Sequence, residues 1–206
     1  MALVAKQPTE IFICNTSNID SMRHGRPQTV MLKEGNIPTA LQGKLPNGPI
    51  VKLLTTQETQ TTPELDHVHS VGTIGAIGAG GALGKFIIIS PEIRVEQYRR
   101  IDNSIAGHML VANETYTAYE LGKLDRIEYS QAYCDDTLFT DGALNITVGA
   151  TLDMNANGKL VAGGAFRVVS IREQSKPLMY APHVQGKEAA LMHAPVIMIK
   201  LEVVEA

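Results

Sequence analysis

Aromatic residues make up only 5% of this 206-residue chain, and tryptophan is missing altogether. A platform for stacking nucleic-acid bases needs aromatic faces, so that mode of binding is not expected. Basic charge is not in excess either: 18 Lys and Arg against 21 Asp and Glu give a net charge of −3. A surface that tracks phosphates normally carries a basic stripe, and no nucleic-acid partner is expected. No window reaches the ~20 apolar residues that a membrane helix needs. The opening "MALVAKQPTE" has no apolar run before its Lys and Pro, so neither a membrane segment nor a signal peptide is expected. Cysteine is scarce as well. Cys14 and Cys134 lie far apart, without CxxC or Cys/His spacing. That suits synthesis in a reducing cytoplasm, with both thiols used as small core residues.

What the chain does have is short β-branched runs bounded by Gly, Asn, Asp and Pro. With 44% hydrophobic residues it is long enough to bury a real core. Runs such as "PIVKLL" (49–54), "KFIIIS" (85–90), "AFRVVSIRE" (165–173) and "PVIMIKLEVVE" (195–205) read as strands, the last two alternating apolar and polar. The pattern predicts an all-β, mainly antiparallel fold: a small β-barrel or β-sandwich with an extended N-terminal arm. One or two short helices are expected, at "NETYTAYELGK" (113–123) with Asn113 as its cap, and at "GKEAALMHA" (186–194). The polar "TTQETQTTPE" (55–64) reads as a linker. It suggests an N-terminal arm and β segment over 1–62 and a barrel domain over 63–206.

The stretch "ELDHVHSVGTIGAIGAGGALGKFIII" (64–89) invites two chemical readings. A phosphate loop of the G-x-x-x-x-G-K-S/T type fails on its own residues. Ala79 stands where the first Gly belongs, Phe86 replaces the metal-binding hydroxyl, and a strand follows where a helix is required. The glycines instead suit a tightly turning loop. His67 and His69 are two apart, so on a strand they share a face and offer two imidazoles to one metal. A third ligand would have to come from His24, His108, His183 or His193, and nothing in the spacing selects one. A hydrogen-bonded or solvated pair is the default. "DMNANGKL" (153–160) matches the first half of a calcium loop, but Gly164 occupies the twelfth position where a bidentate Glu is required. A hairpin turn at Asn157-Gly158 explains it without an ion. No nucleophile elbow is present, and the adjacent acids Asp135 and Asp136 read as a solvated loop. No catalytic residue, cofactor or metal is expected.

One element is specific enough to suggest a family. Over 144–173, "LNITVGATLDMNANGKLVAGGAFRVVSIRE" runs strand, "VGATL", a "DxNxNGKL" hairpin, a "GG" turn and a strand ending "VVSIRE". This resembles the small β-barrel element of tailed-bacteriophage capsid decoration (cement) proteins. The resemblance implies a virion structural protein made in the host cytoplasm, which binds the capsid exterior and bridges major capsid subunits. It also implies a homo-oligomer or lattice-bound copies, and neither enzyme activity nor a membrane partner. A polar, turn-rich arm over 2–26, with Arg23 and Arg26 as charge partners, is expected to reach the neighbour. Two alternatives stand beside it: a phage tail or head–tail connector component, and a small metal-dependent cytosolic enzyme using His67 and His69. A ligand-binding barrel is a further possibility that needs an internal cavity.

Overall fold

A computed structural model of the chain describes residues 12, 14–18, 27–32, 37, 45–54, 69–74, 82–89, 109–178 and 192–204. The fold is all-β and mostly antiparallel. The first strands are β1 (Cys14–Asn18), β2 (Pro27–Met31), β3 (Leu45–Pro46) and β4 (Ile50–Leu54). Next come β5 (His69–Ile74), β6 (Ala82–Ile88), β7 (Met109–Leu110), β8 (Thr115–Glu120) and β9 (Arg126–Ser130). Single 3₁₀ turns at Gln131–Tyr133 and Asp136–Leu138 lead to β10 (Phe139–Thr140) and β11 (Ala143–Leu144). The chain ends in β12 (Thr151–Met154), β13 (Leu160–Ala162), β14 (Phe166–Leu178) and β15 (Met192–Val203).

Two larger assemblies result. Strands β2-β5-β4-β6-β8 pair around a ring that returns to β2, and β1-β9-β15-β14-β12-β13 form a six-stranded sheet. The whole is thus not one closed barrel but a barrel with a sheet packed on its wall. β2 and β4 precede residue 62 while β5, β6 and β8 follow it, so the ring spans the division expected there.

The reason lies in how apolar residues alternate. Val51 and Leu53 of β4, Phe86 and Ile88 of β6, and Tyr116 and Ala118 of β8 fill the barrel interior. Their neighbours Ile50, Ile87, Ile89, Tyr119 and Leu121 point the other way. They pack with Ile127, Tyr129, Leu152, Met154, Phe166, Ile199 and Leu201 beneath the six-stranded sheet. The unbroken apolar run Phe86–Ile89 therefore belongs to a strand covered on both faces. Each fully buried Ile there contributes roughly 1.5–3 kcal/mol. In β15, Ile199, Leu201 and Val203 enter this core while Lys200 and Glu202 take the other side, where Val196 and Met198 are buried as well.

Two sequence-based expectations are corrected, and part of a third is located. Residues 113–123 form no helix: Asn113 sits in a turn at φ +63° and Thr115–Glu120 is β8. The buried residues Tyr116 and Ala118 are two apart, a strand spacing that outweighed the apparent cap. The Tyr116 hydroxyl fixes that turn by accepting from the Val111 N–H at 2.7 Å. Of the helix expected at 186–194, residues 192–194 open strand β15 instead, and the rest lies outside the described residues. Of the expected arm, Cys14–Asn18 is the edge strand of the chain's own sheet, paired with β9. It is held there because Cys14 and Phe12 pack on the core beneath.

Candidate functional site

Of the residues singled out in the sequence, Arg23, Arg26, His67, His24, His108 and His183 lie outside the described residues. His69 opens β5 with its backbone opposite Val30, and His193 pairs with Pro177 in the β14–β15 ribbon. Among the described residues no three His, Cys, Asp or Glu side chains gather as a metal-binding group. Of the glycine-rich stretch, Gly84 and Lys85 fall inside β6, which begins at Ala82, and Lys85 is buried.

The β12–β13 hairpin forms where the sequence placed it. Its loop is organised by Asn155, whose Oδ1 accepts from the N–H groups of Asn157 (2.9 Å) and Lys159 (3.0 Å). Only Gly158 of the Asn-Gly pair takes a left-handed conformation, at φ +68°. Asp153 Oδ1 accepts from the Met154 N–H at 2.8 Å. Gly164, at φ +105°, lies so close over Asp153 that a Cβ there would collide with it. The twelfth position of the supposed calcium loop is thus a glycine for steric reasons, and the oxygens that would bind an ion hold the turn.

Partial burial pushes the Asp153 carboxyl above its usual value, against the Met154 N–H and the charge of Lys85, which act the other way. Because its pKa is higher folded than unfolded, folding takes up a proton between the two values, and stability falls as pH rises through that window. Asp153→Asn keeps the acceptor and removes the charge. Its unfolding midpoint is expected to match the parent below pH ~4 and to lie slightly above it at pH 7, in urea titrations at both pH values. A lower midpoint at pH 7 would overturn this.

Behind the hairpin sits an enclosed cluster. Tyr129 donates its hydroxyl to the Gly48 carbonyl at 2.8 Å, and Tyr133 donates to the Asn47 carbonyl. The Tyr129 and Tyr133 rings lie 4.7 Å apart, with Phe12 edge-on to Tyr133 at 5.1 Å. Lys159 donates to the Ala132 carbonyl at 2.5 Å and lies 4.8 Å from the Phe12 ring centre. Burial pushes the Cys14 thiol well above its ordinary range and that of Cys134 up to about 12. Both thiols are free, and burial favours their neutral form. Burial likewise raises both tyrosines. The cluster clamps the 47–48 loop to the sheet; it is built for rigidity.

Asp135 does not pair with Asp136 as an acid and base. Its carboxylate accepts from the Thr137 N–H (3.1 Å) and hydroxyl (2.9 Å), which hold it below the usual range as an anion. Together with Asn155, which donates to Asp135, it ties the 3₁₀ turn to the hairpin.

The outer face of the six-stranded sheet is different, because it sets exposed arginines over buried carboxylates. Arg126, Glu202 and Arg167 are direct cross-strand neighbours on β9, β15 and β14. Glu202 Oε2 receives Arg126 at 2.9 Å and Oε1 receives Arg167 at 2.5 Å. Hydrogen bonds from Arg167 and Arg126 hold the Glu202 carboxyl below its usual value. One step along the sheet, Glu128 accepts from Arg172 at 2.9 Å, and Lys200 stands between their strands.

No protein-family model matches this chain, and no curated protein or solved structure does. Its function has to follow from the chemistry of its own surfaces. The arginine-bearing face was missed in the sequence because its members are spread from residue 126 to 202. The alternation in "FRVVSIRE" and "IMIKLEV" marks which residues face outward, but not that they stand side by side.

Proposed function

We propose that this chain is a virion structural protein of the decoration type, docking on the exterior of a capsid lattice and bridging its subunits. The observation that carries this reading is the return strand β14 with its partner β15. β14 follows the β12–β13 hairpin, as in the decoration-protein element, and continues past the sheet. Beyond the Arg172–Met198 rung the two strands pair over six more, from Glu173↔Ile197 to Leu178↔Met192. Among the described residues no third strand pairs with that extension, which at ~3.3 Å per residue runs about 20 Å. Val196, in its second rung, is already buried within this chain, and the rungs beyond it, marginal in water as a two-stranded ribbon, gain from a surface to lie on. Pro177 and Pro195, which lack the N–H a further strand would need, favour a side-chain surface over sheet extension.

The rest of the molecule suits the role. Two cores packed against one another give a rigid body, and rigid bodies with more than one contact gain from effective concentration when both engage one lattice. The test is a count. Particles from the system encoding the chain, purified on a gradient, are expected to carry it in numbers comparable to the lattice subunit by quantitative mass spectrometry. A copy number matching only a ring or two points to a connector or tail component. Absence from the particle, or a stoichiometric metal in untagged protein, overturns the assembly reading.

A further inference from the structure

The row Arg126–Glu202–Arg167 is oversupplied with cations. A single carboxylate, its side chain only 5% exposed, lies beneath two guanidinium groups that are 47% and 53% exposed. The adjoining Lys200, Glu128 and Arg172 repeat the imbalance, so six residues on one face carry a surplus of two positive charges on a chain of net −3. A network evolved only to staple three strands would balance its charges. This one buries the acids and presents the arginines, each with five N–H donors in a fixed fork.

Two exposed apolar residues flank the row. Leu124, 64% exposed, precedes Arg126 by two residues, and its N–H bonds to the Val203 carbonyl at 2.9 Å. Val148, 65% exposed, lies on the other side, where the N–H of Gly149 bonds to the Val168 carbonyl at 2.8 Å, next to Arg167. Both turns therefore stand at the same end of the sheet. Leu124 also has φ +73°, whereas the other left-handed non-glycine residues described are Asn113 and Asp141, types that tolerate that region. Its turn is pinned: Asp125 Oδ2 accepts from the Gly122 N–H at 2.7 Å, and the Asp125 carbonyl accepts from Val203 at 2.9 Å. The chain thus accepts backbone strain and an exposed leucine at one residue, beside a surplus of arginine. Strain retained at an exposed position points to use.

We infer that this end of the six-stranded sheet, Leu124 and Val148 on either side of Arg126–Glu202–Arg167, is a docking surface for a protein patch bearing carboxylates beside apolar side chains. Arginine and large apolar groups side by side are the composition of interface hot spots, and their charge selects an acidic partner. The inference rests on the assembly role proposed above and names the face that meets the lattice, in place of the arm around Arg23 and Arg26.

Two variants test it. Leu124→Asn suits the left-handed turn and removes the leucine, and Arg126→Gln leaves Glu202 held by Arg167. Binding is measured by co-sedimentation with gradient-purified particles made without the chain, at low and at physiological salt. Each variant is expected to melt within a few degrees of the parent, Leu124→Asn at or above it, and to bind at least tenfold more weakly. Arg126→Gln is further expected to show a shallower salt dependence. A parent chain that does not bind particles overturns the assembly role and this surface together. A parent that binds while both folded variants bind equally well overturns this surface alone. Two controls also decide against an acidic protein patch: retention of the parent, but not the variants, on immobilised double-stranded DNA at the same salt, or a dimer in sedimentation velocity that both variants abolish.

Discussion

Gly48→Ala is expected to lower the free energy of unfolding by about 3 kcal/mol, adding backbone strain of ~1–3 to overpacking of ~1–3. Gly48 takes φ +92° between β3 and β4, a region that side chains rarely occupy. A Cβ at this position would lie 2.6 Å from Cys14 Sγ and 2.8 Å from Cys14 Cβ. The sulfur can swing aside, but the Cβ is fixed to β1, so the edge strand or the loop must move. Neither is free to do so. The Gly48 N–H bonds to the Ile88 carbonyl at 3.0 Å and its own carbonyl receives Tyr129, so a shift breaks contacts to barrel and sheet at once. In a chain this size the loss corresponds to a melting temperature lower by roughly 6–12 °C. Gly142→Ala is the control: its φ is +77° but nothing lies within 4 Å of the added carbon. It should cost only the backbone term, about 1 kcal/mol. Equal losses for the two variants, in thermal or urea melts, would show that the Cys14 contact carries no weight.

The same glycine shows where sequence reading stopped. The alternation in "IMIKLEV" and "FRVVSIRE" was legible because a sheet with one wet face imposes period two on each strand separately. The β12–β13 hairpin was legible because its turn chemistry is local. The pairing of β1 with β9, and the approach of Gly48 to Cys14, join residues far apart in the chain, and no local pattern encodes them. Residues 113–123 misled for a related reason. Asn113 and Gly122 mimic a helix's two ends, while the burial that makes β8 a strand comes from β2 and β6 on either side. The charge row on the outer face was hidden in the same way, its carboxylate at 202 and its arginines at 126 and 167. Polar, turn-rich composition such as that around Arg23 and Arg26, which lie outside the described residues, is visible locally, and cross-strand charge rows are not.

The junction of barrel and sheet gives the second large effect. Met154 is fully buried in the core beneath the six-stranded sheet, and its sulfur accepts from the Ile50 N–H at the start of β4, 3.2 Å away. One side chain therefore fills space under the sheet and satisfies a donor on the barrel wall. Met154→Ala should cost about 4 kcal/mol, combining the ~2–5 of a buried Met truncation with part of the ~1–3 for a donor left without its partner. Met154→Leu separates the two contributions. It restores most of the volume but not the acceptor, and is expected to cost about 1 kcal/mol. Because Ile87 of β6 and Ile199 of β15 belong to that same core, Met154→Ala should speed amide exchange in both strands together. Faster exchange confined to the sheet would mean that the barrel stands independently of it. The two cores would then not act as one rigid body, which the proposed clamping role assumes.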